Sequence, residues 1–263
     1  MIPAPLREGL GEIEAASILR AFSLIEPGQV RGVLHSHSTW SDGTASIEEM
    51  ARQAQARGYA YLQISDHSQA AHYAGGLSAE KLFAQSQEID ALQKKLTGIR
   101  LIKGIEVDIM ADGTLDLDAD TLSRLDLVIA SVHMRFKQSK EEMTARLVRA
   151  VQSPHVDILG HPTGRLLLSR APYEIDFEQV FTAAAQANTA IEINANPHRL
   201  DLDWERLQLA KSLGVRLCIS PDAHSVAGLD HTFFGVCVAQ KGGLSAADIW
   251  NTQEAEVFLA NRK

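Results

Sequence analysis

The 263-residue sequence holds little that would tie it to a membrane or an oxidising compartment. No apolar run approaches the roughly 18 residues that suggest a membrane-spanning helix, and the N-terminus lacks the basic start and apolar stretch of a signal peptide. A cytoplasmic location is therefore expected. Cysteine is scarce. Cys218 and Cys237 sit in apolar contexts, LCIS and GVCVA, with neither a CxxC nor a zinc-ribbon spacing, so both read as buried, reduced thiols rather than a disulfide. No low-complexity tract or repeat appears. Positive charge is also short: 25 Lys and Arg against 33 Asp and Glu give a formal net charge of -8, which argues against a surface built for nonspecific DNA binding. That exclusion is narrow, because divalent ions held by three of the acidic residues would restore positive charge at one place and attract phosphate there.

What is present suits one large domain, since 45% apolar residues can fill a single core. Residues 1–30 are punctuated by Pro3, Pro5, Gly9, Gly11, Pro27 and Gly28 around one helical stretch, Glu12 to Leu24, and read as a lead-in to a domain over 31–263. From Arg31 onward, short β-rich runs alternate with amphipathic helical stretches, the pattern of βα units around a parallel sheet or barrel. Seven strands are expected, ending near His37, Asp66, Val107, His133, His161, Asn194 and Asp222. Ser46 and Glu49 form a capping-box pattern ahead of the stripe Ile47, Met50, Ala51 and Ala54, and Gly58 is placed to end that helix. Further helices are expected over Lys140 to Val151, near 79–96, 176–187 and 203–213, the last closed by Gly214, with a tail helix from about Ser245.

Barrel enzymes place reactive groups at the C-terminal ends of their strands. Here those ends read His35-Ser36-His37, Asp66-His67, Glu106, His133, His161 and Asp222-Ala223-His224, and only the sixth differs, with Asn194 and Asn196. Residues two apart on a strand share a side, so HSH and DAH are each expected to deliver a pair of ligands into one space. Any single histidine would read as a hydrogen-bonded core or rim residue. Six of the ten gathered at strand ends with carboxylates read as metal ligands. With Asp42 the set comes to nine, too many for one ion. Imidazole and carboxylate without thiolate suit zinc, manganese or iron(II), in a cluster where a carboxylate bridges two ions and a bound hydroxide attacks phosphorus. Glu106 is expected to be that bridge, and catalysis is assigned to Glu106, Asp222 and His133. His155 and His231 read as plain surface residues, while His72 and His198 lie on loops at the mouth.

The motifs HSHSTWSDG, ISDHS, KGIEVDI, ASVHMRF, ILGHPTGRLL, EINANP and SPDAHS together resemble the PHP family, the polymerase and histidinol phosphatase domain, over nearly the whole chain. More narrowly they resemble the C-terminal PHP domain of bacterial family X DNA polymerases. LREGLGEIEAA is similar to the segment that joins the polymerase core to it, and GLSAEKL and GRLL agree outside the ligands. The resemblance implies an α/β fold, a distorted seven-stranded (β/α)7 TIM-like barrel, with a trinuclear site at the C-terminal ends of the strands. Carried over by position, His35, His37, Glu106 and Asp222 would hold one metal, Glu106, His133 and His161 a second, and Asp42, His67 and His224 a third. Asp42 stands where many relatives have histidine, a change that keeps a ligand and leans toward manganese. Asp66, just before His67, is not usually a ligand and is expected to support the site from behind the ligands.

The implied activity is phosphoester hydrolysis, in the polymerase setting a manganese-dependent 3′-5′ exonuclease, sometimes with abasic-site cleavage. The chain is too short for nucleotidyl-transfer domains, so it is expected to be a fragment whose partner is an absent polymerase core, or else a free-standing relative. Arg165 and Arg199, near the proposed mouth, are the expected phosphate contacts, with Lys103 and Lys137 as weaker candidates. Two other readings stay open: a phosphomonoesterase of the histidinol-phosphate type with the same metal site, and a noncatalytic module that supports a polymerase. An amidohydrolase barrel would bridge its metals with a modified lysine, where this chain supplies Glu106.

Overall fold

The computed structural model describes residues 2–9, 11–14 and 23–263. Among them seven parallel strands pair in chain order: β1 (Gly32–Val33), β2 (Tyr61–Ile64), β3 (Arg100–Asp108), β4 (Leu127–Ser131), β5 (Ile158–Leu159), β6 (Ala190–Asn194) and β7 (Leu217–Ser220). The register sets Gly32 beside Tyr61, Tyr61 beside Arg100, Gly104 beside Leu127, Ile129 beside Ile158, Ile158 beside Ala190 and Ile191 beside Leu217. Strands β7 and β1 share no ladder. Past their C-terminal ends the bridge Ser36–Ala223 joins them, His37 N donating to Ala223 O at 2.8 Å and Ala223 N to His35 O at 3.1 Å. Lower down, Asn251 spans the same gap: its amide donates to Gly32 O at 2.9 Å and to Ile219 O at 2.8 Å, and accepts from Ile219 N at 3.0 Å. The result is a nearly closed barrel with helices outside, the architecture the alternating pattern predicts.

The helices are α1 (Ile47–Ala56), α2 (Ala79–Gln93), α3 (Ala119–Ser123), α4 (Lys140–Val151), α5 (Phe177–Gln186), α6 (Trp204–Ser212), α7 (Thr232–Lys241) and α8 (Ala255–Ala260). Reciprocal capping boxes start α1 at Ser46 and Glu49 and α4 at Ser139 and Glu142. In α1 the buried stripe is Ile47, Met50, Ala51 and Ala54, and in α4 it includes Met143, Leu147 and Val151. Each large apolar side chain buried this way stabilises the fold by roughly 1.5–3 kcal/mol.

Four expectations need correcting. The tail helix from Ser245 is broken into the 3-10 turns Ala246–Asp248 and Trp250–Thr252, and α8 starts only at Ala255. The break lets Asn251 turn its amide onto β1 and β7 while Trp250 packs on Phe258, ring centroids 4.2 Å apart. Of the lead-in stretch, Glu12 to Glu14 are helical and Ser23 and Leu24 are not, and 15–22 lie outside the described residues. The end of the lead-in packs as part of the barrel, with Ile25 and Val30 in the main core and Ile25 N donating to Leu244 O at 2.9 Å. Cys218 is buried inside the barrel, but Cys237 is exposed on α7; both are free.

The lower interior is apolar, built from Tyr61, Ile102, Leu127, Ile129, Ile158, Ala190 and Cys218 and plugged by Trp250 and Phe258. Gly32 is required there, because a Cβ on it would lie 1.9 Å from the Tyr61 ring. Among the described residues no helix is long and apolar enough to cross a membrane.

Candidate metal centre

Glu106 lies on β3, and the other expected ligand residues lie past the strand ends, several in left-handed backbone. β1 stops at Val33 and His35 has φ 56°; His161 follows β5 with φ 23°, and Asp222 follows β7 with φ 50°. Such angles are uncommon for residues other than glycine and cluster where function demands them. Strand alternation therefore does not explain how HSH and DAH converge, contrary to expectation. Turns do it, placing the His35 and His37 rings 5.3 Å apart and the His37 and His224 rings 4.0 Å apart.

Glu106, buried at the end of β3, is the hub. Its Oε1 lies 3.2 Å from His35 Nε2, 3.2 Å from His133 Nε2 and 2.9 Å from His161 Nε2. Its Oε2 lies 2.9 Å from His67 Nδ1 and 3.7 Å from His37 Nε2. Asp222 Oδ1 stands 3.4 Å from His37 Nε2 and 3.6 Å from both His35 Nε2 and His224 Nδ1. Asp42 faces His37, His67 and His224 at 3.8, 3.6 and 3.5 Å. Four groups have ligand atoms within 4.8 Å of one another: His37, Asp42, His67 and His224; His35, His161 and Asp222; His35, His37 and Glu106; His67, Glu106 and His133. All nine expected ligands take part. The grouping differs from the partition that the resemblance implies, since His37 joins the Asp42 group and His161 joins His35 and Asp222.

Charge is distributed unevenly over this cluster. Burial, helped by His224 and His67, lowers the His37 pKa to about 3, and burial with Arg199 lowers that of His161 to about 4. Burial acts the same way on His133, but Glu106 and Asp108 outweigh it and raise the pKa to about 10; Asp42 and Asp222 likewise carry His224 to about 9. Glu106 and Asp222 are held well below the carboxylate range in spite of burial, chiefly by His35. His35 Nε2, both ring nitrogens of His37, His67 Nδ1 and His133 Nε2 are buried without a hydrogen-bond partner. Buried imidazole nitrogens left unpaired are costly, and lone pairs converging on shared carboxylates are what divalent transition ions satisfy. The donor set fits them.

Three further carboxylates brace the expected ligands, Glu192 and Asp108 from outside the expected set and Asp66 from within it. Glu192, wholly buried in β6, accepts from His35 Nδ1 at 2.6 Å, from His161 N at 2.6 Å and from the Asn194 amide at 3.0 Å. Asp108 lies 3.3 Å from His133 Nδ1. Each contact occupies one ring nitrogen and leaves the other directed at Glu106. Both had a signal: a carboxylate within the apolar run AIEIN, and EVD placing Asp108 two residues after Glu106. Asp66 acts on the loop beside the centre. It accepts from Ser38 N and Oγ, Ser41 Oγ and Gln85 at 2.5 to 2.8 Å, and so fixes the loop that carries Asp42.

Of the two arginines, Arg199 reaches the centre. Its Nε donates to Asp222 at 3.2 Å, and its Nη1 is buried without a partner. Arg165 donates to the carbonyls of Arg199 and Leu200 and pairs with Asp203, bracing the loop after β6, which makes it the weaker candidate for phosphate. Lys103 pairs with Asp90, and Lys137 is exposed in the loop after β4. His72 and His198 are exposed, and His155 is half-buried. His231 is not a plain surface residue: it is half-buried, hydrogen-bonded to the Pro221 backbone, and its pKa is lowered, first by burial. The exposed rim also holds Tyr73, beside His67 and His133.

The model of the PHP domain matches residues 34–196. The chain is 47% identical over 98% of its length to the DNA polymerase/3′-5′ exonuclease PolX of Bacillus subtilis (strain 168), of which it spans 46%. It is 31% identical to the protein named "Probable phosphatase" in Thermoanaerobacter sp. (strain X514), covering 87% of this chain and 94% of that protein. In fold it resembles the histidinol phosphate phosphatase of Lactococcus lactis, solved with zinc, L-histidinol and phosphate, with a TM-score of 0.54 at 17% identity over 81% of this chain and 94% of that one.

Proposed function

The chain belongs to the PHP domain family, and on that footing we propose that it is a cytoplasmic metal-dependent phosphoesterase acting as a 3′-5′ exonuclease, the nuclease domain of a family X DNA polymerase. The observation that carries this reading is Glu106, one buried carboxylate between 2.9 and 3.7 Å from five imidazole nitrogens. Two or three divalent ions, held by His35, His37, Asp42, His67, Glu106, His133, His161, Asp222 and His224, would supply a nucleophilic hydroxide and neutralise phosphate charge. Arg199 presents its free Nη1 to a phosphate oxygen while its Nε stays on Asp222. Glu192 fixes the tautomer of His35, and Asp108 that of His133, so that Glu106, Asp222 and His133 stay in register for catalysis.

Exonuclease is favoured over phosphatase by the 47% identity to a polymerase with that activity across 98% of the chain. The phosphomonoesterase reading rests on the relative matched over 94% of its own length. The deciding experiment gives the manganese-loaded chain 3′-labelled and 5′-labelled single-stranded oligonucleotides beside histidinol phosphate. Stepwise shortening from the 3′ end supports the proposal, and rapid monoester turnover with intact DNA replaces it with the phosphatase.

A further inference from the structure

Between β2 and α2 the chain makes a short turn that buried alanines and backbone hydrogen bonds anchor. Ala71 and Ala74 are buried, at 0% and 3% exposure, and their amides donate to Ser68 O and Ala71 O, each at 3.0 Å. Ala70 N is held by Asp116 at 2.8 Å. Gly76 has no room for a side chain, since a Cβ there would lie 1.9 Å from Ser68 O, and Leu77 N returns to His67 O at 2.8 Å. From this anchored turn Tyr73 stands out into solvent, 72% exposed. A rigid base that holds a large aromatic ring out of the core forgoes its burial, and the ring's position shows what it gains. Its centroid lies 6.1 Å from that of His67 and 6.5 Å from that of His133.

We propose that Tyr73 is a substrate-contacting residue whose ring stacks on the nucleobase next to the scissile phosphate, so that the enzyme favours nucleic-acid ends that carry a base. A phosphate at the Glu106 cluster would place its own sugar and base outward across the rim, and Tyr73 is the aromatic face beside two of the ligands there. Stacking suits an enzyme that removes nucleotides in succession, because every base offers a π-face whatever its identity. The inference rests on the exonuclease reading.

The test compares the wild-type chain with Tyr73→Ala and Tyr73→Phe, all manganese-loaded, on two single-stranded oligonucleotides. One ends in a normal 3′ nucleotide, and the other in a 3′ nucleotide lacking its base. Tyr73→Ala should raise KM for the normal end on the order of ten-fold and leave the baseless end nearly unchanged, while Tyr73→Phe keeps the wild-type preference. Metal content should be the same in all three. Equal effects of Tyr73→Ala on both ends, or on neither, overturn the role of Tyr73 and leave the exonuclease reading in place. A wild type that shortens neither oligonucleotide while hydrolysing a monoester sinks the exonuclease reading itself.

Discussion

Low in the barrel, Tyr61, Ile102, Leu127 and Ile158 meet Trp250 and Phe258 in an apolar floor; a few residues further along the same strands, six histidines surround Glu106 and Asp222. The strand residues of the floor sit on ordinary strand backbone, and Trp250 and Phe258 close it from the C-terminal turn and helix. The mouth is turned by left-handed residues at His35, His161 and Asp222 and keeps imidazole nitrogens buried without partners. Strain and unpaired polar groups both cost stability, so the mouth is built for ligation while the floor and the outer helices hold the fold together. The two ends should therefore answer differently to substitution.

The largest difference is expected at Glu106. Glu106→Ala should take phosphoester hydrolysis below about a tenth of wild type and lower metal content while the barrel stays folded, because its side chain ties ligands rather than the apolar core. Circular dichroism and elemental analysis alongside the assay check this; activity above that level ends the bridging role. Phe258→Ala should do the reverse. Its ring is wholly buried against Tyr61 and Trp250, so the variant should lose about 3–5 kcal/mol of stability in urea unfolding, with metal content retained. A loss of metal without a loss of stability would erase the distinction between floor and mouth.

Asp201 sharpens the comparison through pH. Burial pushes its carboxyl up to about 6, against the pull of Thr163 N and the cations Arg165 and Arg199. A folded pKa above the unfolded one near 3.8 means that the native state binds this proton more tightly, so stability is lost as pH rises from about 4 to about 6. Roughly two units at 1.36 kcal/mol each give about 3 kcal/mol. Asp201→Asn cannot ionise, so its stability relative to the chelator-treated wild type should climb across that window; a pH-independent difference contradicts the assignment. Arg199→Ala should cost on the order of 1.5–3 kcal/mol in kcat/KM with metal content unchanged, the range of a charge-assisted hydrogen bond to phosphate. An unaltered kcat/KM would remove Arg199 from the substrate site.

The seven strands were legible because each is a short apolar run with a polar residue at its exit, and α1 and α4 because Ser46–Glu49 and Ser139–Glu142 are local signals that need no tertiary context. The strand exits were read about two to four residues too long at β1, β2, β4, β5 and β7, since nothing in HSH or GHP marks a left-handed turn when the residue is not glycine. The sequence marks neither α7, whose start no side chain caps, nor α3, which Asp118 caps but which is only five residues long. Glu192 and Asp108 lie on strands whose neighbours are fixed only by folding, so their histidine partners, 157 and 25 residues away, could not be paired by spacing.

Anomalous scattering from crystals of the manganese-loaded or zinc-loaded chain tests the central claim most directly. The metal centre predicts two or three transition ions per chain, within about 2.0–2.3 Å of the ligand nitrogens and oxygens and at least one of them on Glu106. A well-ordered crystal grown with excess metal and showing no anomalous peak beside Glu106 would contradict it.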